Sequence, residues 1–216
     1  SDFEGYIDGA WVLKDGVPTV PGVGNIRPGS MKLRNLNPEE DDVVDLNDRA
    51  IIGDANPIHT GGVTVNARAY GFDFSAAFNW SYGNDVYNAN KIEYTTTSAN
   101  ANRNLIDIMA DGKRWTNLRD DGTISNDPAE LEAMNATTTM WSPMMNNYIF
   151  SDWAVEDGSF LRLNTLTLGY TIPKNIVSRI KLENLRLYAS AYNVYTWTNY
   201  SGFDPEVSTR RKTALT

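Results

Sequence analysis

Apolar and polar side chains alternate at every second position in two parts of the chain. From Gly62 onward, Val63, Val65, Ala67 and Ala69 alternate with Thr64, Asn66, Arg68 and Tyr70. Beyond Gly71, the residues Phe72, Phe74, Ala76, Phe78, Trp80 and Tyr82 alternate with Asp73, Ser75, Ala77, Asn79 and Ser81. Successive side chains of a strand point to opposite faces, so this rhythm predicts a β-hairpin with one consistently apolar face. The rhythm returns at Leu161-Arg162-Leu163, slips by one residue near Asn164-Thr165, and continues through Leu166, Leu168, Tyr170 and Ile172 to Pro173. Such a slip predicts a β-bulge or a late strand start. After a turn near Lys174 to Lys181, Leu185, Leu187, Ala189 and Ala191 alternate with Arg186, Tyr188, Ser190 and Tyr192, and the strand runs into the aromatic residues Tyr195, Trp197 and Tyr200.

Between and before these strands the pattern is different. Residues 1–59 are rich in turn signals, among them Asp15-Gly16, Pro21-Gly22 and Pro28-Gly29, followed by an acidic run from Glu39 to Asp48. They predict irregular structure with short strands, Tyr6 to Leu13 being the clearest. Residues 84–158 lose the alternation and carry many Asn, Thr, Asp and Gly, so they predict a long loop of the kind that is either functional or disordered. Within it, Asp127 is placed to cap a short helix, with Pro128 at the first helical position and Glu130 three residues after the cap. Asn104 to Met109 predicts another helical turn. The chain thus divides into a turn-rich segment 1–59, a strand hairpin 60–83, a long loop 84–158 and terminal strands 159–216.

Composition narrows the class without deciding it. Among 216 residues there are 11 Tyr, 7 Phe and 6 Trp beside only 21% charged residues, a mixture suited to strands and turns. Nothing approaches the roughly 18 consecutive apolar residues of a membrane-spanning helix, and Ser1-Asp2-Phe3-Glu4 lacks the layout of a signal peptide. A membrane β-strand needs only about 9–11 residues with alternate apolar side chains. Small apolar residues in mid-strand with Tyr and Trp toward the ends match the lipid-facing band and aromatic girdle of an outer-membrane barrel, with Arg68, Arg186 and Ser190 facing the lumen. A soluble glycan-binding β-sandwich with one buried face has the same period, and periodicity alone leaves both open.

Several chemistries are excluded or disfavoured. The absence of cysteine rules out disulfides and thiolate metal sites, and the single histidine, His59, rules out a histidine metal cluster. A formal charge of −8 with no basic stripe argues against nucleic acid. No Walker loop, dinucleotide fingerprint, zinc motif or nucleophile elbow occurs, and no cofactor is implied. The carboxylates of Asp120-Asp121 and Glu156-Asp157 are sequence neighbours that would point to opposite faces of a strand, so no enzyme is expected. Trp115, Trp141, Tyr148 and Trp153 are the candidate substrate-contacting aromatics in or beside the long loop, able to stack on sugar rings, to pack the loop together or to anchor it at a membrane interface. His59 beside Pro57 reads as an ordinary turn or interface residue.

Four stretches carry a family resemblance. Pro28-Gly29-Ser30-Met31-Lys32, followed by Asp48-Arg49, Ile52-Gly53 and Asn56-Pro57, resembles the segment before late barrel strands in SusC/RagA-type TonB-dependent transporters. Ser81-Tyr82-Gly83-Asn84-Asp85-Val86-Tyr87-Asn88 is similar to the family's exit from one of those strands. Val155-Glu156-Asp157-Gly158-Ser159-Phe160-Leu161-Arg162-Leu163, continuing to Leu166-Thr167-Leu168-Gly169-Tyr170, matches almost letter for letter. Leu185 to Tyr188, Asn193 to Thr198 and Tyr200 to Val207 resemble the penultimate strand and the loop after it.

The resemblance implies an all-β fold: antiparallel transmembrane strands forming part of a plugged barrel of about 22 strands, with long extracellular loops containing short helices. It further implies the outer membrane of a Gram-negative bacterium, a SusD-like surface lipoprotein, energy from TonB through regions absent here, and an oligosaccharide or peptide substrate. In the motif Asp157-Gly158-Ser159 the glycine would supply unusual backbone angles at the entrance to a strand. The run Asn37-Pro38-Glu39-Glu40-Asp41-Asp42 replaces the family's calcium-like loop and lacks its glycine, so a solvated acidic loop is expected there. Arg211 to Thr216 resembles the start of a last strand without its usual aromatic end, as in a truncated chain or one with omitted residues.

Overall fold

The computed structural model describes residues 2–21, 26–97, 102–145, 148 and 150–206. The strand expected from Arg211 onward lies outside them. The chain forms two compact units, Ser1–Ile52 with Asn88–Ala154 and Gly53–Tyr87 with Val155–Thr216. The four linear segments are therefore recombined in space.

The second unit is built on one antiparallel sheet. Its strands are β3 (His59–Ala69), β4 (Phe72–Tyr82), β7 (Phe160–Thr171) and β8 (Arg186–Thr198), in the order β3-β4-β7-β8. Tyr70 and Gly71 join β3 to β4 with φ of 52° and 89°, the two positive angles that a two-residue hairpin turn needs to follow the strand twist. Register carries the predicted alternation across the whole sheet: Val65 faces Ala76, Ala76 faces Leu166, and Leu166 faces Ala191. The slip anticipated near Asn164 is a bulge, with register shifts between Leu163 and Thr165 and between Ala77 and Phe78. Asn193 opposes it with φ of 49°, a conformation asparagine tolerates better than most residues.

One sheet face is apolar and open. Val63 and Val65 are each 48% exposed, Phe72 52%, Leu168 53% and Leu187 60%. A water-soluble sandwich would bury this face, since each such side chain gains about 1.5–3 kcal/mol on full burial. Aromatic rings edge the face at both ends. Phe72 and Tyr170 pack at 4.5 Å near the tight turn, and Tyr195 packs on Trp197 at 4.8 Å near the other end, where Trp80 and Tyr82 also lie. Phe72 and Trp80 are separated by about 26 Å of strand at ~3.3 Å per residue, comparable with the ~25 Å apolar band of outer-membrane barrels.

The opposite face is polar and internally bonded. Thr167 and Ser190 share a hydrogen bond of 2.9 Å. Arg186 on β8 reaches across β7 to Asp73 on β4 with two donors, at 2.9 and 2.5 Å. Gly169 leaves the space for that bridge, because a Cβ there would stand 2.6 Å from the guanidinium and from both carboxylate oxygens. Arg162, whose side chain is 11% exposed, binds Asp204 at 2.5 Å and Glu206 at 3.2 Å, fastening the segment beyond β8.

Two short strands, β5 (Asp85–Tyr87) and β6 (Val155–Asp157), pair at the end of the sheet away from the tight turn. Here one expectation needs correction. Gly158 does not adopt a left-handed backbone; it is buried, and its lack of a side chain lets Val86 and Asn84 approach it. Asp157 accepts from Ser159 N at 2.8 Å and Ser159 Oγ accepts from Gly83 N at 2.9 Å, so the turn's polar groups are satisfied as expected. His59 accepts from Trp80 Nε1 at 3.1 Å and stacks on Tyr82.

In the first unit the expected strand from Tyr6 to Leu13 is two strands. β1 (Phe3–Ile7) and β2 (Ala10–Leu13) form a hairpin, because Asp8 and Gly9 take φ of 50° and 85° and reverse the chain. Two short helices follow, α1 (Ala89–Glu93) and α2 (Pro128–Met134), with a 3-10 turn at Asp107–Met109 where a helical turn was expected. Asp127 caps α2, accepting from Ala129 N and Glu130 N. The acidic run folds back on itself: Asp48 accepts backbone N–H groups from Asp45 and Leu36, which hold its carboxyl below the usual carboxylate range. Among the described residues no group of three or more metal-ligating side chains is assembled.

Candidate functional site

The four loop aromatics separate into two places. Trp141, Tyr148 and Trp153 converge: Trp141 lies 4.4 Å from Trp153 and 6.0 Å from Tyr148, edge to face. Lys91 of α1 sits 4.2 Å over the Trp153 ring and donates to its carbonyl at 2.8 Å. All three rings are half-buried against one another, and burial raises the Tyr148 hydroxyl above its ordinary pKa. Trp141 Nε1 is buried with no partner among the described residues. Trp115 lies elsewhere, over Gly29, where a Cβ would collide with the indole ring. It lines a cavity of about 570 Å³ with Phe3, Met31 and Leu131, whose wall also carries Asp2, Lys32 and Glu132.

A second cavity of about 580 Å³ collects residues that sequence reasoning did not single out. Tyr6 and Trp11 face each other across the β1–β2 hairpin, with ring centroids 5.4 Å apart and planes at 57°. Phe3 packs edge-on to Trp11 at 5.5 Å and fixes its orientation. The same cavity is lined by the polar Thr19, Arg27, Asn117 and Asn126 and by the apolar Leu13, Val20, Pro21 and Ile26. Arg27 spends one donor on the Met144 carbonyl at 2.5 Å. Neither asparagine side chain has a partner among the described residues. The described lining contains no carboxylate, although the chain carries 27 acidic residues.

The two amides are held by a staple below them. Asn117 and Asn126 lie at the base of a small hairpin in which Ser125 N donates to Asn117 O at 2.8 Å and Leu118 bridges Ile124. Arg119 in that hairpin makes two hydrogen bonds of 2.6 Å to the two carboxylate oxygens of Glu130 on α2, and Ser125 Oγ donates to the same carboxylate at 2.6 Å. The guanidinium first, then the hydroxyl, lower Glu130 from 4.5 to about 2. A depressed carboxylate pKa contributes stability that is complete above the ordinary value and is lost as pH falls through the folded one. Amide-exchange protection of residues 117–126 is therefore expected to hold from neutral pH to about 4.5 and to decline between 4.5 and 2. In Glu130→Gln the protection at neutral pH should be lower and this acid step should be absent; an unchanged acid step would remove Glu130 from the account.

Sequence offers part of this arrangement. The strand expected from Tyr6 to Leu13 contains both hairpin aromatics, and Asp127-Pro128 marks the helix that carries Glu130. Nothing in a linear pattern joins Trp11 to Asn117.

No family model matches the chain. It is 27% identical over 187 residues to the TonB-dependent receptor P3 of Formosa agariphila, covering 87% of this chain and 16% of the relative. The P39 receptor of the same organism is 32% identical over 165 residues, covering 76% and 14%. The TonB-dependent receptor SusC of Bacteroides thetaiotaomicron is 27% identical over 148 residues, covering 68% and 12%. The chain thus spans less than a fifth of the length of these curated relatives. Among solved structures, the RagAB peptide importer in its closed-closed state superposes with a TM-score of 0.51 at 25% identity, over 72% of this chain and 15% of that one. A further RagAB peptide transporter structure gives 0.54 over 75% and 16%, at an identity of 23% that speaks to the fold alone. With an open-faced antiparallel sheet and similarity to these proteins over most of its residues, the chain is a homologue of the SusC/RagA-type TonB-dependent receptors and corresponds to a part of their β-barrel.

Proposed function

We propose that the chain supplies wall strands and surface loops to an outer-membrane transporter that imports oligosaccharides or peptides, energised through TonB and assisted by a SusD-like surface lipoprotein. The observation that carries this reading is the exposed apolar face of the four-stranded sheet, edged by aromatic rings at both ends and backed by a polar face. Lipid is the solvent that such a face matches, and the polar face suits a wet or plugged lumen. At one end β3 and β4 are joined by a two-residue turn and β7 and β8 by the segment 172–185, while at the other β4 and β7 are joined by the much longer segment 83–159, an asymmetry that suits shorter periplasmic and longer extracellular connections. On this reading the long β4–β7 connection belongs to the cell exterior, with Trp141, Tyr148 and Trp153 as the small core of a surface loop. The RagAB relative is a peptide importer, which supports nutrient uptake as the class of activity. No covalent chemistry is involved in this reading.

The test uses the complete gene product in a Gram-negative host. It should fractionate with the outer membrane, require detergent for extraction and migrate differently on gels before and after heating. Uptake of its substrate should cease in a strain lacking TonB. A protein that is monodisperse in buffer without detergent would sink the proposal.

A further inference from the structure

We propose that the cavity between the β1–β2 hairpin and the 117–126 hairpin is a saccharide-binding site, with Tyr6 and Trp11 receiving the apolar face of a sugar ring and Asn117, Asn126, Thr19 and Arg27 binding its hydroxyls. This deepens the transport reading by naming the substrate class, and rests on it for the site's position at the cell surface.

Size comes first. About 580 Å³ lies within the range of roughly 300–1,000 Å³ typical of small-ligand sites, enough for a short oligosaccharide. The chemistry of the lining comes second. A pyranose presents C–H groups on its faces and hydroxyls around its rim, so it calls for an aromatic surface flanked by groups that both donate and accept. Trp11 and Tyr6 provide the surface, with Trp11 locked between Phe3 and Tyr6 so that little side-chain freedom is lost on binding. Each asparagine amide offers two donors and one acceptor, matching vicinal hydroxyls, and neither is committed elsewhere among the described residues. The staple of Arg119, Ser125 and Glu130 holds their backbone in place.

Charge separates sugar from peptide. A peptide brings an ammonium group at its start and often lysine or arginine beyond it, and these would call for carboxylates. The described lining has none, and its one charged group is the guanidinium of Arg27. That set suits a neutral sugar, or one bearing a carboxylate or sulfate, and disfavours a cationic ligand.

The experiment presents the complete, detergent-solubilised protein to a printed array of oligosaccharides of four to eight units and to a peptide library of matched mass. The strongest sugar is then titrated by calorimetry against wild type, Trp11→Ala and the isosteric Asn126→Asp. Binding to sugars but not peptides, weakened at least tenfold in both variants, is the expected result. Asn126→Asp keeps the shape of the lining and replaces donors by a charge, so its effect stands even if Trp11→Ala disturbs the hairpin. Peptide binding alone, silence from both libraries, or sugar binding unchanged in both variants would overturn the assignment. Outer-membrane fractionation and TonB-dependent uptake are read separately, so a failed sugar site does not pass for a failed transporter.

Discussion

Val65→Arg is expected to cost the folded protein about 2–4 kcal/mol, the penalty for a cation on the lipid face of a barrel near mid-membrane, whereas Thr64→Arg one residue earlier should be close to neutral. Val65 lies in a row with Ala76, Leu166 and Ala191 at the middle of the apolar face. Thr64 points the other way, opposite Ala77 on the polar face. The two substitutions add the same charge and nearly the same volume to the same strand, so only the surroundings of the side chain differ. Chemical unfolding of the complete protein in lipid bilayers, followed by heat-dependent gel mobility, gives the comparison. Equal sensitivity at the two positions would mean that the exposed apolar face does not meet lipid.

Gly158→Val should destabilise the pairing of β5 with β6 by about 1–3 kcal/mol, the usual cost of overpacking. Gly158 N already donates to Asn84 O at 2.8 Å, and an added Cβ would stand 3.1 Å from that same oxygen and 2.6 Å from Asn84 Nδ2. The oxygen belongs to the backbone and cannot swing aside. Gly122→Ala is the control: its backbone is left-handed, with φ of 83°, but nothing lies within 4 Å of the new atom. Its cost should be the roughly 1–2 kcal/mol of a left-handed residue bearing Cβ. Amide exchange at Val86 and Glu156 distinguishes the cases, and full protection in Gly158→Val would refute the close-contact account.

These contrasts indicate what a linear pattern can and cannot convey. The sheet was legible because lipid and lumen impose opposite demands on alternate residues, so Phe72 to Tyr82 and Leu166 to Tyr170 carry the rhythm without interruption. The bulge was legible as well, since a slip at Asn164 flips every later side chain unless an extra residue absorbs it. The α2 cap was legible because Asp127 and Pro128 act within one turn, but Glu130 gives its carboxylate to Arg119 and Ser125 and does not reach back to the cap. The turn inside Tyr6 to Leu13 was missed: Asp8-Gly9 is a strong turn signal, but it sits within a short apolar run that also reads as one strand. For Gly158 the residue was recognised and the reason was not, because crowding from Val86 and Asn84 is a tertiary fact. The cavity was the least accessible feature. Tyr6 and Asn117 are far apart in sequence, and the ion pair that positions the amide side joins Arg119 to a residue on a different element.

The first unit is made from two stretches, Ser1–Ile52 and Asn88–Ala154, with the β3–β4 hairpin between them in sequence. Where the hairpin ends, Asp85 N donates to Asp54 O at 2.7 Å, so zipping these two strands closes the intervening loop. Most of the entropy of bringing the halves together is then already spent. Synthesis in sequence order cannot finish this unit as it goes: residues 1–52 must wait for residues 88–154, which are translated later. Until the strands zip, those residues are a natural target of proteases, and a single register error would deliver both halves out of step.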